Sequence, residues 1–328
     1  MPIRQNNPTS PRPMVPHGLM FHHFHGEGYP PDSQGSLSAA GLESILMVAG
    51  IKNFLQPQEW LDRAAQSRLQ SNDLCLTFDD GLRCQYDVAL PILKKHKLQA
   101  FWFVYSAPLE GKCCLLEPFR RFRSQYFQST DEYYRYFQKE YNLVSKVYKK
   151  KKDYLLFVKE YREKFPFYSR NDIHYRYLRD QVLSPKQYRQ IILSMIKAKG
   201  LTIEELGKGL WMNNEQIRDL HTQSHMVGLH SYDHPTRMAG LPEKEQLRQY
   251  QKNYKHLSQV CAKPTTMSHP CDSYNSATIE ILKQLNIVLG FRSNMSNSGC
   301  SSVACSALEF AREDSANLLR NIPGGLPS

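Results

Sequence analysis

Two stretches of the chain hold side chains that could do chemistry together. Leu74-Cys75-Leu76-Thr77-Phe78-Asp79-Asp80-Gly81 is an apolar, β-rich run that stops abruptly in two carboxylates and a glycine. Active sites of α/β barrels gather at the C-terminal ends of their strands, and neighbouring residues there point in different directions. One of Asp79 and Asp80 can then face a metal while the other faces a substrate. His230-Ser231-Tyr232-Asp233-His234 sets two imidazoles four residues apart, directly after the apolar run 226–229. That spacing lets both rings reach one cation from a helical turn or a tight loop. Two histidines and one aspartate, completed by water, match an open zinc site that activates water for hydrolysis. Each stretch also has a plainer use: Asp-Asp-Gly is common turn chemistry, and two histidines four apart are often a surface pair.

The elements that would position these groups show in the surrounding pattern. At 328 residues, 41% hydrophobic and 11% aromatic, the chain can fill the core of one large domain or two ordinary ones. Gly 17, Pro 19 and Cys 8 exclude a collagen-like or disulfide-scaffold protein. Short β-rich apolar runs occupy 15–24, 73–78, 99–105, 224–229, 265–268 and 288–291, and helical spacing occupies 42–51, 85–96, 211–221, 242–260 and 276–285. Pro91 is expected to bend or end the second of those helices. Strand-then-helix units in succession predict an α/β protein with a mostly parallel sheet, open or closed as a barrel.

The formal charge of +11 belongs to one segment: residues 113–200 hold 20 Lys+Arg against 9 Asp+Glu, and 12 of the 19 tyrosines. Phe119, Phe122, Tyr126 and Phe127, then Tyr133, Tyr136, Phe137 and Tyr141, recur at three- and four-residue spacing, so the segment reads as a helical insertion. The run Lys149 to Lys152, followed by Tyr154, Phe157 and Tyr161, suits either a polyanion surface or a solvated helix face with tyrosines packed beneath it; the second is favoured. No run approaches the roughly 20 apolar residues of a membrane span. Residues 1–14 carry Pro, Asn and Arg without an apolar stretch and read as a disordered leader, which places the protein in the cytoplasm. The absence of any Cys-x-x-Cys suits reduced thiols there, although a Cys300–Cys305 bridge is sterically possible.

Thr77-Phe78-Asp79-Asp80-Gly81 and His230-Ser231-Tyr232-Asp233-His234, in that order and each after a strand, resemble the first and second motifs of the polysaccharide deacetylases of NodB-homology type, carbohydrate esterases that remove acetyl groups from glycans. The resemblance covers roughly 15–107 and 201–320. It implies a distorted (β/α) barrel of NodB deacetylase type: a disordered leader at 1–14 and a single deacetylase-like domain at 15–328, interrupted by the basic, Tyr-rich helical insertion at 108–205. Carried over by residue, it makes Asp79 the catalytic base and Asp80, His230 and His234 the ligands of Zn2+ or another divalent transition metal. Ser268-His269-Pro270-Cys271-Asp272 stands where the family has Arg-x-Pro-Tyr-Gly, so the Cys271 backbone N–H would help hold the oxyanion. The motif's arginine is Ser268 here; Arg312 would supply the missing charge from another strand, and Asp314 resembles the family's late aspartate. No histidine follows His269, so the family's usual general acid is absent and His22, in Phe21-His22-His23-Phe24-His25, is expected in its place. Strand alternation would put His22 and His23 on opposite faces, with His23 and His25 in core or turn roles.

The activity so implied is hydrolysis of a linear amide: removal of an acetyl group, N-acetyl before O-acetyl, from a sugar or a glycan precursor, anionic and lipid-linked ones included. Nucleic acid is the less favoured partner. Two alternatives stand beside it: a non-catalytic glycan-binding protein of the same fold, and a polyanion- or nucleic-acid-binding protein acting through the insertion.

Overall fold

The computed structural model describes residues 15–30, 35–144, 154–159, 169–295 and 306–320. Residues 1–14, the lysine run 149–152, Tyr161, and Cys300 and Cys305 lie outside them, and so do the leader, polyanion-surface and bridge expectations made there. Contacts divide the chain into two compact units, one made of 1–26, 35–112 and 211–328, the other of 27–34 and 113–210.

The first unit is built on a parallel sheet of seven strands among the described residues: β1 (His17–Phe21), β2 (Leu74–Asp79), β3 (Phe101–Val104), β4 (Met226–Leu229), β5 (Thr266–Ser268), β6 (Leu289–Phe291) and β7 (Arg312–Asp314), in the order β6-β5-β4-β3-β2-β1-β7. In chain order the α-helices are α1 (Ala39–Ala49), α2 (Pro57–Ala65), α3 (Leu90–Lys95), α4 (Leu116–Gln125), α5 (Thr130–Val144), α6 (Arg170–Tyr177), α7 (Pro185–Ala198), α8 (Ile203–Gly207), α9 (Asn214–Thr222), α10 (Glu243–Val260), α11 (Ser276–Gln284) and α12 (Ser315–Arg320). The sheet curls into a nearly closed barrel. Its seam lies between β6 and the segment entering β7, where Phe310 N–H donates to Gly290 O at 2.9 Å and Gly290 N–H to Ala307 O at 2.9 Å. A Cβ on Gly290 would stand 2.5 Å from Leu308 O, so only glycine permits that approach.

Every residue of β2 is buried, the mark of a parallel strand covered on both faces. Alternation sorts them. Cys75 joins Phe101, Phe103, Leu289 and Phe291 in one core, and Phe103 meets Phe291 across the barrel at 5.6 Å, which makes that face the interior. Phe78 turns the other way and stacks on Trp102 at 4.4 Å and Phe21 at 5.3 Å. Thr77 and Asp79 share the phase of Cys75 and point inward. Arg312 reaches the same interior from β7, opposite Gly18 in register; a Cβ there would stand 3.1 Å from the Arg312 Cγ.

Pro91 does disturb its helix without ending it: residues 83–95 stay helical, but the turn before Pro91 widens to π type over 85–89 before α3 resumes at Leu90, a distortion of the kind a proline's missing N–H produces. One sequence expectation is corrected: Trp211 is not helical. Asn213 caps α9, its side chain accepting from Gln216 N–H in a reciprocal capping box, so the helix starts three residues later than its apolar spacing suggests.

The second unit is helical, with a core of aromatic residues. Phe122, Tyr133, Tyr134, Phe137 and Tyr175 are buried together with Ile191, Ile192, Met195 and Ile196 of α7. Tyr134 donates to Asp172 at 2.7 Å, and Tyr175 and Tyr188 share a hydrogen bond at 2.8 Å. These tyrosines serve packing. No helix among the described residues is long and apolar enough to cross a membrane.

Two buried histidines of the first unit give a pH prediction. Ala100 N–H donates to His225 Nδ1 at 3.1 Å, and His269 Nε2 donates to Leu308 O at 2.9 Å while its Nδ1 has no hydrogen-bond partner among the described residues. A second proton would face an N–H at His225 and nothing at His269. Burial accordingly lowers both pKa values to about 4, against roughly 6.5 unfolded. Between those limits the unfolded chain binds more protons, so this contribution is full above about 6.5 and lost as pH falls to 4, up to about 3 kcal/mol per histidine. His269→Phe should flatten the fall in urea-unfolding free energy between pH 6.5 and 4.5; an unchanged slope would contradict the assignment.

Candidate active site

Asp79 ends β2 inside the barrel, and a fully buried Arg312 meets it in a bidentate pair, Nη1 to Oδ1 and Nη2 to Oδ2 both at 2.7 Å. Arg312 is itself held by donation to Arg292 O at 2.8 Å and Thr77 Oγ1 at 3.3 Å. Burial alone would push the Asp79 carboxyl up; Arg312 and then His230 outweigh it and bring it down to about 2. Ser268, where the family has arginine, donates its hydroxyl to Asp79 Oδ1 at 3.1 Å. His22 lies just past the end of β1, its Nε2 3.9 Å from Asp79 Oδ2.

Asp80 takes a left-handed backbone, φ 77°, which turns its carboxylate out of the strand's alternation and toward two histidines. Its Oδ1 lies 3.4 Å from His230 Nε2 and 3.3 Å from His234 Nε2. All three residues are buried, with one donor atom from each lying within 4.8 Å of the others. His230 Nδ1 lies 3.0 Å from Ser268 O and 2.7 Å from Ser268 Oγ. A carbonyl can only accept, so Nδ1 carries the hydrogen and Nε2 turns a lone pair toward Asp80. Lone pairs facing a carboxylate in a buried space require a positive charge between them. A proton is one solution: burial opposes it, yet Asp79 and Asp80 outweigh burial and hold the His230 pKa above the ordinary imidazole value. A divalent cation is the other, and two imidazole nitrogens with one carboxylate oxygen form a donor set that suits it.

The loop carrying both histidines is fixed from α10. Asn253 accepts from His230 N–H at 2.9 Å and donates to Val104 O at 2.9 Å, while Gln249 Oε1 accepts from the N–H groups of Tyr232 and Asp233, both at 3.1 Å. Ser231 and His234 have left-handed φ of 65° and 56°, a turn these side-chain acceptors stabilise. Tyr105, just past β3, packs its ring 5.3 Å from that of His234.

The named residues thus fall into two groups. Asp79, Asp80, His22, His230, His234 and Arg312 are brought together. Cys271 is exposed in a left-handed turn, φ 51°, which Asp272 steadies by accepting from Ser293 N–H at 2.8 Å. Asp314 accepts from Ala316 N–H at 2.8 Å at the start of α12, a local capping contact. The alternation expected of His22 and His23 does not reach them, because β1 stops at Phe21; their rings lie 6.3 Å apart and 15° from parallel. His25 bonds Ser36 Oγ at 2.9 Å. Sequence reasoning missed Ser268 as a donor, and it missed Gln249 and Asn253, whose signal was available: two amides one turn apart on the apolar stripe of an amphipathic helix.

The polysaccharide deacetylase family profile matches the chain over 66–117 and 186–290, two stretches that hold both motifs. No curated protein sequence matches it. Among solved structures the chain is similar to the Streptococcus pyogenes deacetylase PplD in complex with acetate, at 16% identity and TM-score 0.53 over 94% of this chain and 98% of that one. It is also similar to a de-N-acetylase from Aggregatibacter actinomycetemcomitans, at 14% identity and TM-score 0.50 over 92% and 95%. The BpsB deacetylase domain from Bordetella bronchiseptica matches at 12% identity and TM-score 0.50 over 94% and 98%. At these identities the likeness carries the fold.

Proposed function

We propose, for a chain that belongs to the polysaccharide deacetylase family, hydrolysis of an N-acetyl group on a sugar residue of a glycan or glycan precursor. The observation that carries this reading is an ionised carboxylate, Asp79, standing beside a separate buried donor set made by its neighbour Asp80 with His230 and His234. A divalent transition metal held by that set, zinc first, would acidify a water molecule and polarise the acetyl carbonyl.

The chain's own residues supply the rest. Arg312 bonds both Asp79 oxygens and Ser268 adds a second donor at Oδ1, so Oδ2, 3.9 Å from His22 and 4.0 Å from His230, is the less heavily bonded of the two. Oδ2 takes a proton from the attacking water as its oxygen bonds the carbonyl carbon. Cys271, which stands outside the cluster of site residues in its exposed turn, is the residue whose backbone N–H would hold the oxyanion on the family resemblance. The C–N bond then breaks as the amine nitrogen takes a proton from His22; a free amine and acetic acid leave, the acid losing its proton to solvent to give acetate, and the proton on Asp79 returns to His22.

Acetate release from N-acetylated and O-acetylated oligosaccharides by zinc-loaded protein tests this. Release from the N-acetylated series, at least about 100-fold slower in Asp79→Asn, is expected. Binding of the sugar without release would leave the non-catalytic alternative standing in its place.

A further inference from the structure

Of the chain's three tryptophans, Trp60 and Trp102 are fully buried, whereas Trp211 is only partly so. Two independent connections place Trp211 at the rim of the site. Its backbone is tied to the loop that follows Asp79 and Asp80: Trp211 and Leu82 form an isolated antiparallel bridge, and Met212 N–H donates to Gly81 O at 3.0 Å. Its side chain approaches from the β3 side. Nε1 donates to the Tyr105 hydroxyl at 2.6 Å, the two rings meet edge to face at 6.1 Å, and the Tyr105 ring packs against His234.

A partly exposed indole therefore stands one aromatic ring away from a metal-donor imidazole, with its single polar atom already engaged. What it offers to solvent is apolar π surface. The C–H groups on one face of a pyranose ring form an apolar, weakly electropositive patch that matches the negative face of an indole, while the sugar hydroxyls at the ring's edge stay hydrated. Resting on the deacetylase reading, we infer that Trp211 is the platform on which a pyranose ring of the substrate glycan stacks while an acetamido group reaches Asp79. The rival role is structural, with Trp211 only buttressing Tyr105.

The burial of Trp60 and Trp102 makes the test spectroscopic, since the quenchable tryptophan emission comes from Trp211. A β-1,4-linked N-acetylglucosamine pentamer is titrated into the metal-loaded protein, with acrylamide quenching and equilibrium dialysis read in parallel with acetate release. Bound sugar should lower the quenching constant by about half or more. Trp211→Ala should weaken binding about tenfold and Trp211→Phe, which keeps a ring but loses the donor to Tyr105, only about threefold. Sugar bound without protection of the emission, no binding by the wild type, or a Phe variant as weak as the Ala variant would each overturn the platform. Protection without acetate release removes the deacetylase reading and leaves the platform; acetate release without protection does the reverse.

Discussion

Arg312→Met is expected to destabilise the protein by about 3–5 kcal/mol at pH 7 and to remove acetate release. Both effects follow from stranding Asp79 as a buried charge without its partner. Asp79 is 2% exposed, and burial alone would push its carboxyl above the ordinary range; Arg312 is the strongest of the groups that reverse this. In the wild type the folded pKa, about 2, lies below the unfolded value of about 3.9, so the pair's contribution is complete above pH 4 and lost only as pH falls toward 2. Without Arg312 the sign changes. The folded pKa rises past the unfolded one, and the variant's deficit, measured by urea unfolding, should be largest at neutral pH and shrink on acidification toward pH 4. Asp79→Asn combined with Arg312→Met should recover most of the lost stability and none of the activity, because the buried charge is gone along with the base. A single variant as stable as the wild type at pH 7 would show that the pair contributes nothing, and the account of Asp79 as a held carboxylate would fall with it.

The same pair marks how far the chain could be read without its structure. Motifs were legible because they are local: Asp79 and Asp80 stand together, His230 and His234 are one turn apart, and each follows an apolar run whose β character needs no distant partner. The parallel barrel was legible for a similar reason, since alternating strand and helix periods leave few other arrangements. What joins strands far apart in sequence was not legible in the residues themselves; only the gap left in the family's motif pointed to Arg312 as the charge beside Asp79. Arg312 lies 233 residues from Asp79, and nothing in Ala311-Arg312-Glu313 shows that Gly18 makes room for its side chain. Gly290 looks like any strand glycine until Leu308 lies against it. Trp211 fits a helical spacing that the cap at Asn213 overrules, and the helix through Pro91 goes on to Lys95 only because the turn before the proline widens to π type. Ser268 reads as a loss beside the family's arginine, yet its hydroxyl reaches Asp79 Oδ1, an oxygen that Arg312 binds from β7.

Asp80→Asn is expected to abolish the thermal stabilisation that zinc confers on the wild type. At a zinc concentration about 100 times the dissociation constant, binding to the folded state alone adds about 2.7 kcal/mol, which for a chain of this size raises Tm by several degrees. Asp80 supplies the only carboxylate of the three-residue donor set found among the described residues, and the amide that replaces it keeps the shape while losing the charge that balances the cation. His230→Ala should lose the shift as completely. Ser268→Ala gives a graded result: it leaves all three donors but removes the hydroxyl 2.7 Å from His230 Nδ1, and loss of such a partner typically weakens metal binding about 10- to 100-fold. Its zinc-induced shift should therefore survive only at higher zinc. Since each variant is compared with its own chelated form, folding defects cancel from the readout. A full zinc shift in Asp80→Asn would show that the cation binds elsewhere, and the paired roles of Asp79 and Asp80 would have to be given up.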